Sequence, residues 1–118
     1  MAEPIIFDFT VRHADREDVL VHHSVVDGVI IDVFQVEGVV RKHCSTTTHY
    51  DYRIVVVPEE PGILGATAAF TYFNRCGDFR TVESVLTGVG DGFESLVRLR
   101  CINVGTRVEV VLNFSFAQ

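Results

Sequence analysis

Two residues of complementary chemistry, His23 and Asp32, stand on either side of an Asp27-Gly28 pair. An imidazole that meets a carboxylate is oriented and charged by it, the arrangement used for general-base work. Whether the two meet depends on the chain between them. Asp-Gly between apolar runs is the strongest short-range signal of a hairpin, because a type I′ turn requires positive φ at both central residues. With Asp27 and Gly28 as the turn, Val26 faces Val29, Val25 faces Ile30, Ser24 faces Ile31, His23 faces Asp32, His22 faces Val33 and Val21 faces Phe34. Ser24 falls on the opposite face from His23, so it is a poor nucleophile for that pair. A His–Asp pair in a strand also has a purely structural reading, as polar groups that satisfy each other. The catalytic reading would suit an isomerase or cyclase acting on a small apolar molecule.

A second group is His49-Tyr50-Asp51. In a strand, His49 and Asp51 share a face and could hold one divalent metal, with His43, His22 or His13 as a third ligand. The spacing matches no zinc signature, and Cys44, Cys76 and Cys101 are not in ligand pairs. Ordinary polar residues on a wet strand face are the commoner explanation of so unspecific a pattern. Tyr50, Tyr52, Phe70 and Tyr72, with Ala66, Ala68 and Ala69 nearby, could floor a pocket for an apolar or ring-shaped ligand. They could also be large-against-small core packing. Cys44 beside His43 would be a reactive thiol if the imidazole lowered its pKa. Gly88-Val89-Gly90-Asp91-Gly92 lacks the Gly-Lys-Ser/Thr ending of a phosphate loop and reads as a turn. No residue pattern names a cofactor.

The elements that must position these residues are strands. Residues 5–12 place Ile5, Phe7, Phe9 and Val11 on one face and Ile6, Asp8, Thr10 and Arg12 on the other. The hairpin 18–37 follows, with both faces mostly apolar, which predicts cover on both sides. Gly38 suggests a bulge or bend, and Arg41 to Thr47 a polar loop. Residues 48–57 alternate, and Pro58 and Pro61 stop them. Residues 63–74 read as the hairpin partner of 48–57, with Val56 facing Leu64 and Tyr52 facing Ala68. Residues 79–89 fit either a helix capped by Asp78 or a strand, and their β-branched content favours the strand. Residues 95–103 and 107–116 read as a last hairpin around Val104-Gly105-Thr106. The fold class is therefore all-β, with 7–9 strands linked mainly by hairpins and at most one short helix. A small antiparallel barrel or a two-layer sandwich would cover such a sheet.

Composition sets the outer bounds. The 118 residues suit a single β domain over 1–118 with a core of its own. The charge of −6, with Lys42 the only lysine, argues against nucleic acid as a partner. No apolar run approaches the roughly 20 residues of a membrane helix, and the first residues carry no secretory signal. Three cysteines without short spacing fit reduced thiols in a cytoplasmic protein. The mean hydropathy of +0.27 is high for a small domain. That excess predicts either self-association into a homo-oligomer or a cavity for an apolar ligand. The leading expectation is an intracellular homo-oligomeric module for binding or assembly.

Overall fold

The computed structural model describes residues 3–15, 18–43 and 47–116. Among them the chain forms strands β1 (Ile5–Thr10), β2 (Ala14–Asp15), β3 (Val19–Val26), β4 (Val29–His43) and β5 (Thr47–Pro58). Then come β6 (Ile63–Phe73), β7 (Phe79–Val85), β8 (Thr87–Val89), β9 (Gly92–Arg100) and β10 (Arg107–Phe116). No helix occurs among the described residues. One sheet has the order β1-β10-β6-β7. The other runs β2-β4-β5-β9-β8, with β3 also paired to β4. All pairings are antiparallel, and the two sheets stack as a sandwich. Of the two architectures the sequence allows, the sandwich is the one formed.

The turn at Asp27-Gly28 forms as its residues require. Asp27 has φ 48° and Gly28 φ 80°, both in the left-handed region. The register holds from Val26↔Val29 through His23↔Asp32 to His22↔Val33. There a bulge at Val21 shifts it, so Leu20, not Val21, faces Phe34. A bulge adds one residue to one strand and flips the faces beyond it, which is why Leu20 lies exposed on the outer face. A second bulge sits at Val36 against β5. Gly38 is not a bulge; it gives room, because a Cβ there would lie 1.9 Å from the Tyr50 hydroxyl. The strand continues through Arg41 to His43, where the sequence suggested a loop. Residues 79–89 are strand, in two pieces.

Two expected hairpins are instead passages between sheets. β5 pairs with β4 and β9, while β6 pairs with β10 and β7. Likewise β9 and β10 lie in different sheets. The inward faces were nonetheless the right ones. Tyr50, Tyr52, Ile54 and Val56 of β5 are buried, as are Ala66, Ala68, Phe70 and Tyr72 of β6. Alternation with period two fixes which side chains point inward. It does not say whether two inward rows lie side by side in one sheet or face each other across two.

The corner from β9 to β10 is held by specific bonds. Cys101 adopts φ 57°, unusual for a residue with a Cβ. Its N–H donates to the Thr48 carbonyl at 2.8 Å, and its carbonyl accepts from Arg75 N–H at 2.7 Å. Thr48 Oγ1 donates to the Ile102 carbonyl at 2.6 Å, beside a fully buried Ile102 side chain. Burying such a side chain contributes about 1.5–3 kcal/mol.

Gly92 marks the closest backbone approach. A Cβ there would stand 2.5 Å from the Val56 carbonyl oxygen, a backbone atom that cannot rotate aside. Gly92→Ala is therefore expected to destabilise by about 1–3 kcal/mol, the usual range for overpacking. Gly65→Ala, where nothing lies within 4 Å, is the control. Thermal unfolding of both variants checks this: only the first should lower the midpoint.

Candidate functional site

His23 and Asp32 do meet. Their side chains make a short hydrogen bond, His23 Nδ1 to Asp32 Oδ1, across the β3–β4 ladder. The pair lies on the outer face of the six-stranded sheet, with the His23 side chain 56% exposed. An ion pair in that setting is worth under about 1 kcal/mol. Neither residue lines the clefts beside Tyr50 or beside the β8–β9 turn. A general base needs a substrate held against it, and this imidazole faces open solvent beside Val25.

His49 and Asp51 also share a face, with His49 Nε2 3.6 Å from Asp51 Oδ2. The carboxylate is already engaged. Arg98 Nε donates to Asp51 Oδ1 at 2.9 Å, and Arg41 Nε donates to Oδ2 at 3.0 Å. β4, β5 and β9 bring these groups together at Val39↔Asp51↔Arg98 and Arg41↔His49↔Arg100. Burial pushes the Asp51 carboxyl up, but the Arg98 hydrogen bond and charge, joined by His49 and Arg41, outweigh it and hold the carboxyl below its usual value of 3.8. Two guanidinium groups occupy the lone pairs a cation would need. No cluster of three His, Cys, Asp or Glu suited to a metal occurs among the described residues. Of the third-ligand candidates, His22 stacks on Phe7 at 5.9 Å. Cys44 lies outside the described residues, so its pairing with His43 does too.

The four aromatic residues lie in the layer between the sheets. Tyr50, Tyr52, Phe70 and Tyr72 are all buried. Tyr52 stacks under Phe9 of β1 with centroids 4.0 Å apart, and meets Phe70 edge-on at 6.1 Å. Tyr72 donates its hydroxyl to the Arg100 carbonyl at 2.7 Å, and burial raises its pKa above 10.0. Of the four, Tyr50 also reaches a cleft of about 350 Å³, where it lies beside Phe9, Val19, Val21 and Gln35, with Asp8 and Arg12 at the rim.

A larger cleft of about 570 Å³ lies between the β5–β6 passage and the glycine-rich β8–β9 turn. Its charged lining is Glu59, Glu60 and Asp91. Three carboxylates repel a phosphate, which agrees with reading the glycine run as a turn.

What remains is the outer face itself. Leu20 is 51% exposed and Val25 62% exposed, and Ile30, Phe34, Val55 and Val57 are half-buried beside them. Several charged side chains on this face have partners within the chain: Arg53 with Glu94, and Asp51 with Arg41 and Arg98, while Asp32 is hydrogen-bonded to His23. Sequence periodicity found the face. It could not place Leu20 there, because nothing in the residues announces the bulge at Val21.

No family model matches the chain, and no curated protein does. Among solved structures, the bovine atadenovirus type 4 fibre head protein is similar over 88% of this chain and 99% of that chain, at 7% identity and a TM-score of 0.32. A likeness at that level says nothing about function.

The Asp51 cluster makes a pH-dependent prediction. Because its folded carboxyl titrates below the unfolded one, the native state is stabilised at every pH above the unfolded value, and that gain is lost as pH falls through the folded value. Asp51→Asn should therefore cost about 1–2 kcal/mol at neutral pH, allowing for the half-exposed arginines. The gap from the parent should close progressively below pH 3.8. Urea unfolding at a series of pH values reads both; a gap independent of pH would contradict the assignment.

Proposed function

We propose that this chain is an assembly or binding module that works by self-association, through the outer face of the β3–β4 hairpin and β5. One observation carries the reading. The hairpin is apolar on both faces, and the sandwich covers only one. Ile31 and Val33 go into the core, while Leu20 and Val25 stay in water and Phe34 and Ile30 are only half covered. A patch of this kind on a small domain marks an interaction surface.

The occupant we assign is a second copy of the chain. The face carries both signs of charge, Glu94 and Asp51 being joined to arginines of the same chain, so a second copy meets it without a field of one sign. Burying apolar side chains between ion pairs of fixed geometry also gives the contact an orientation. A two-fold arrangement is the commonest outcome, in which each copy offers the same patch. The cysteine pattern supports an intracellular setting, because Cys76 and Cys101 are free thiols. No helix among the described residues is long and apolar enough to cross a membrane. The His23–Asp32 pair serves in this reading as a polar fixture within the patch, between the Val25–Ile30 and Leu20–Phe34 pairs.

Val25→Asp tests the proposal. The position is mostly exposed, so the substitution should change the stability of the single chain by no more than about 0.5 kcal/mol. Light scattering is expected to show the native mass falling to about half the parent's, as the loss of one two-fold contact requires, with circular dichroism unchanged. A native mass identical to the parent's would sink the assignment of this face.

A further inference from the structure

The edges of the two sheets are not alike. β3 carries a bulge, β2 has two residues and β8 three. β1 packs against β3 of the other sheet, Phe7 stacking on His22. Bulges, short strands and covering elements are the means by which a sheet edge is kept from pairing with another chain. β7 also packs against the other sheet, its Ser84 hydroxyl accepting from Ser95 of β9 at 2.9 Å, but it is neither bulged nor short. It is a seven-residue strand without a bulge at the end of the four-stranded sheet, and it contains neither Pro nor Lys.

The direction of its backbone groups can be read from its ends. Leu86 N–H donates to the Ala66 carbonyl at 2.9 Å, and the Asp78 carbonyl accepts from Asn74 N–H at 2.9 Å. Both bonds point toward β6. Successive residues of an antiparallel strand turn their N–H and C=O groups to alternate sides. Phe79, Thr81, Glu83 and Val85 therefore present theirs at the open edge. The side chains of the same four residues stand on the solvent face, Phe79 and Val85 being 67% and 78% exposed.

We infer that β7 pairs antiparallel with β7 of a second copy, in the register centred on Val82, joining two four-stranded sheets into one. Three conditions select that register. Outward residues must face outward residues, because a one-residue slip reverses the faces. Like charges must not stand opposite. The overlap must use the whole strand. Centring on Arg80 would set Arg80 against itself, and centring on Glu83 would set Glu83 against itself. Centring on Thr81 would set Phe79 against Glu83 and leave the end of the strand unpaired. Centring on Val82 places Phe79 opposite Val85, Arg80 opposite Ser84 and Thr81 opposite Glu83. Every outward pair then exchanges two hydrogen bonds. The Phe73–Phe79 ring pair, with centroids 3.8 Å apart, gains Val85 of the second copy as its neighbour. The strand matches itself in apolar pattern and sets no like charges opposite each other, as a two-fold contact demands. This edge belongs to a different sheet from the hairpin face and stands whether or not that face is used.

Register-specific cross-linking tests it. In the inferred pairing the two copies of Val82 form a non-hydrogen-bonded pair with Cα atoms about 4.5 Å apart, within disulfide range. Val82→Cys protein, mildly oxidised, is expected to give a covalent dimer whose joined peptide, found by mass spectrometry, links position 82 to position 82. Arg80→Cys is the control, because its two copies would lie about 13 Å apart along the strands. Failure of Val82→Cys to link, or equally ready linking of Arg80→Cys, overturns the register. If Val82→Cys loses its fold, Thr81→Pro decides. It removes an outward backbone donor and the exposed Thr71–Thr81 hydroxyl contact of 3.3 Å, and spares the backbone ladder to β6, so it should keep the folded spectrum and halve the native mass of the species held by this edge. An unchanged mass overturns the pairing. Combining Val82→Cys with Val25→Asp separates the two contacts: linkage should survive the loss of the hairpin face.

Discussion

The contact on which the rest depends is Phe9 laid flat on Tyr52, 4.0 Å between centroids. β1 and β5 belong to different sheets, so this stack joins the two layers directly. Tyr50 flanks it and Phe70 closes it edge-on. Once these rings fill the interior, space there is spent. Gly38 must lack a side chain because the Tyr50 hydroxyl takes its place, and the alanines of β6 must be small. The inward rows of both sheets are thereby fixed. The apolar residues of the outward rows, Leu20 and Val25 among them, then stand outside, which gives the exposed hairpin face.

Much of this was legible in the residues. Asp27-Gly28 specified its turn and the register from Val26 to His22, so the meeting of His23 with Asp32 followed. The alternation in 5–12, 48–57 and 107–116 identified the buried rows. The partners of those rows were not legible. β5 followed by β6, and β9 followed by β10, look like hairpins because inward residues match in either arrangement. The difference lies in the passages between sheets. Cys101 in a left-handed conformation, bonded to Thr48 and Arg75, is a tertiary arrangement with no local signature. The bulges at Val21 and Val36 were invisible for a similar reason. Val is an ordinary strand residue, and the need for an extra one arises from fitting β4 to two neighbours at once.

The candidate chemistry divides along the same line. Residues that periodicity placed on one face did come together, in the His23–Asp32 pair and around Asp51. Their environment was beyond the sequence. Asp51 is drawn into a network with Arg98 and Arg41 because β4, β5 and β9 are adjacent, and the sequence had paired β5 with β6 instead. With two guanidinium groups on it, the carboxylate acts as a clamp between three strands. His23, oriented by Asp32, is open to water. Polar groups that are matched and fixed on an apolar face are features of a contact surface, and the account rests on that.

Sedimentation of the unmodified protein over a range of concentrations measures the central claim most directly. Self-association predicts a mass of at least twice 13.2 kDa that declines toward the single chain on dilution, as mass action requires. A single species of 13.2 kDa at every concentration would contradict it.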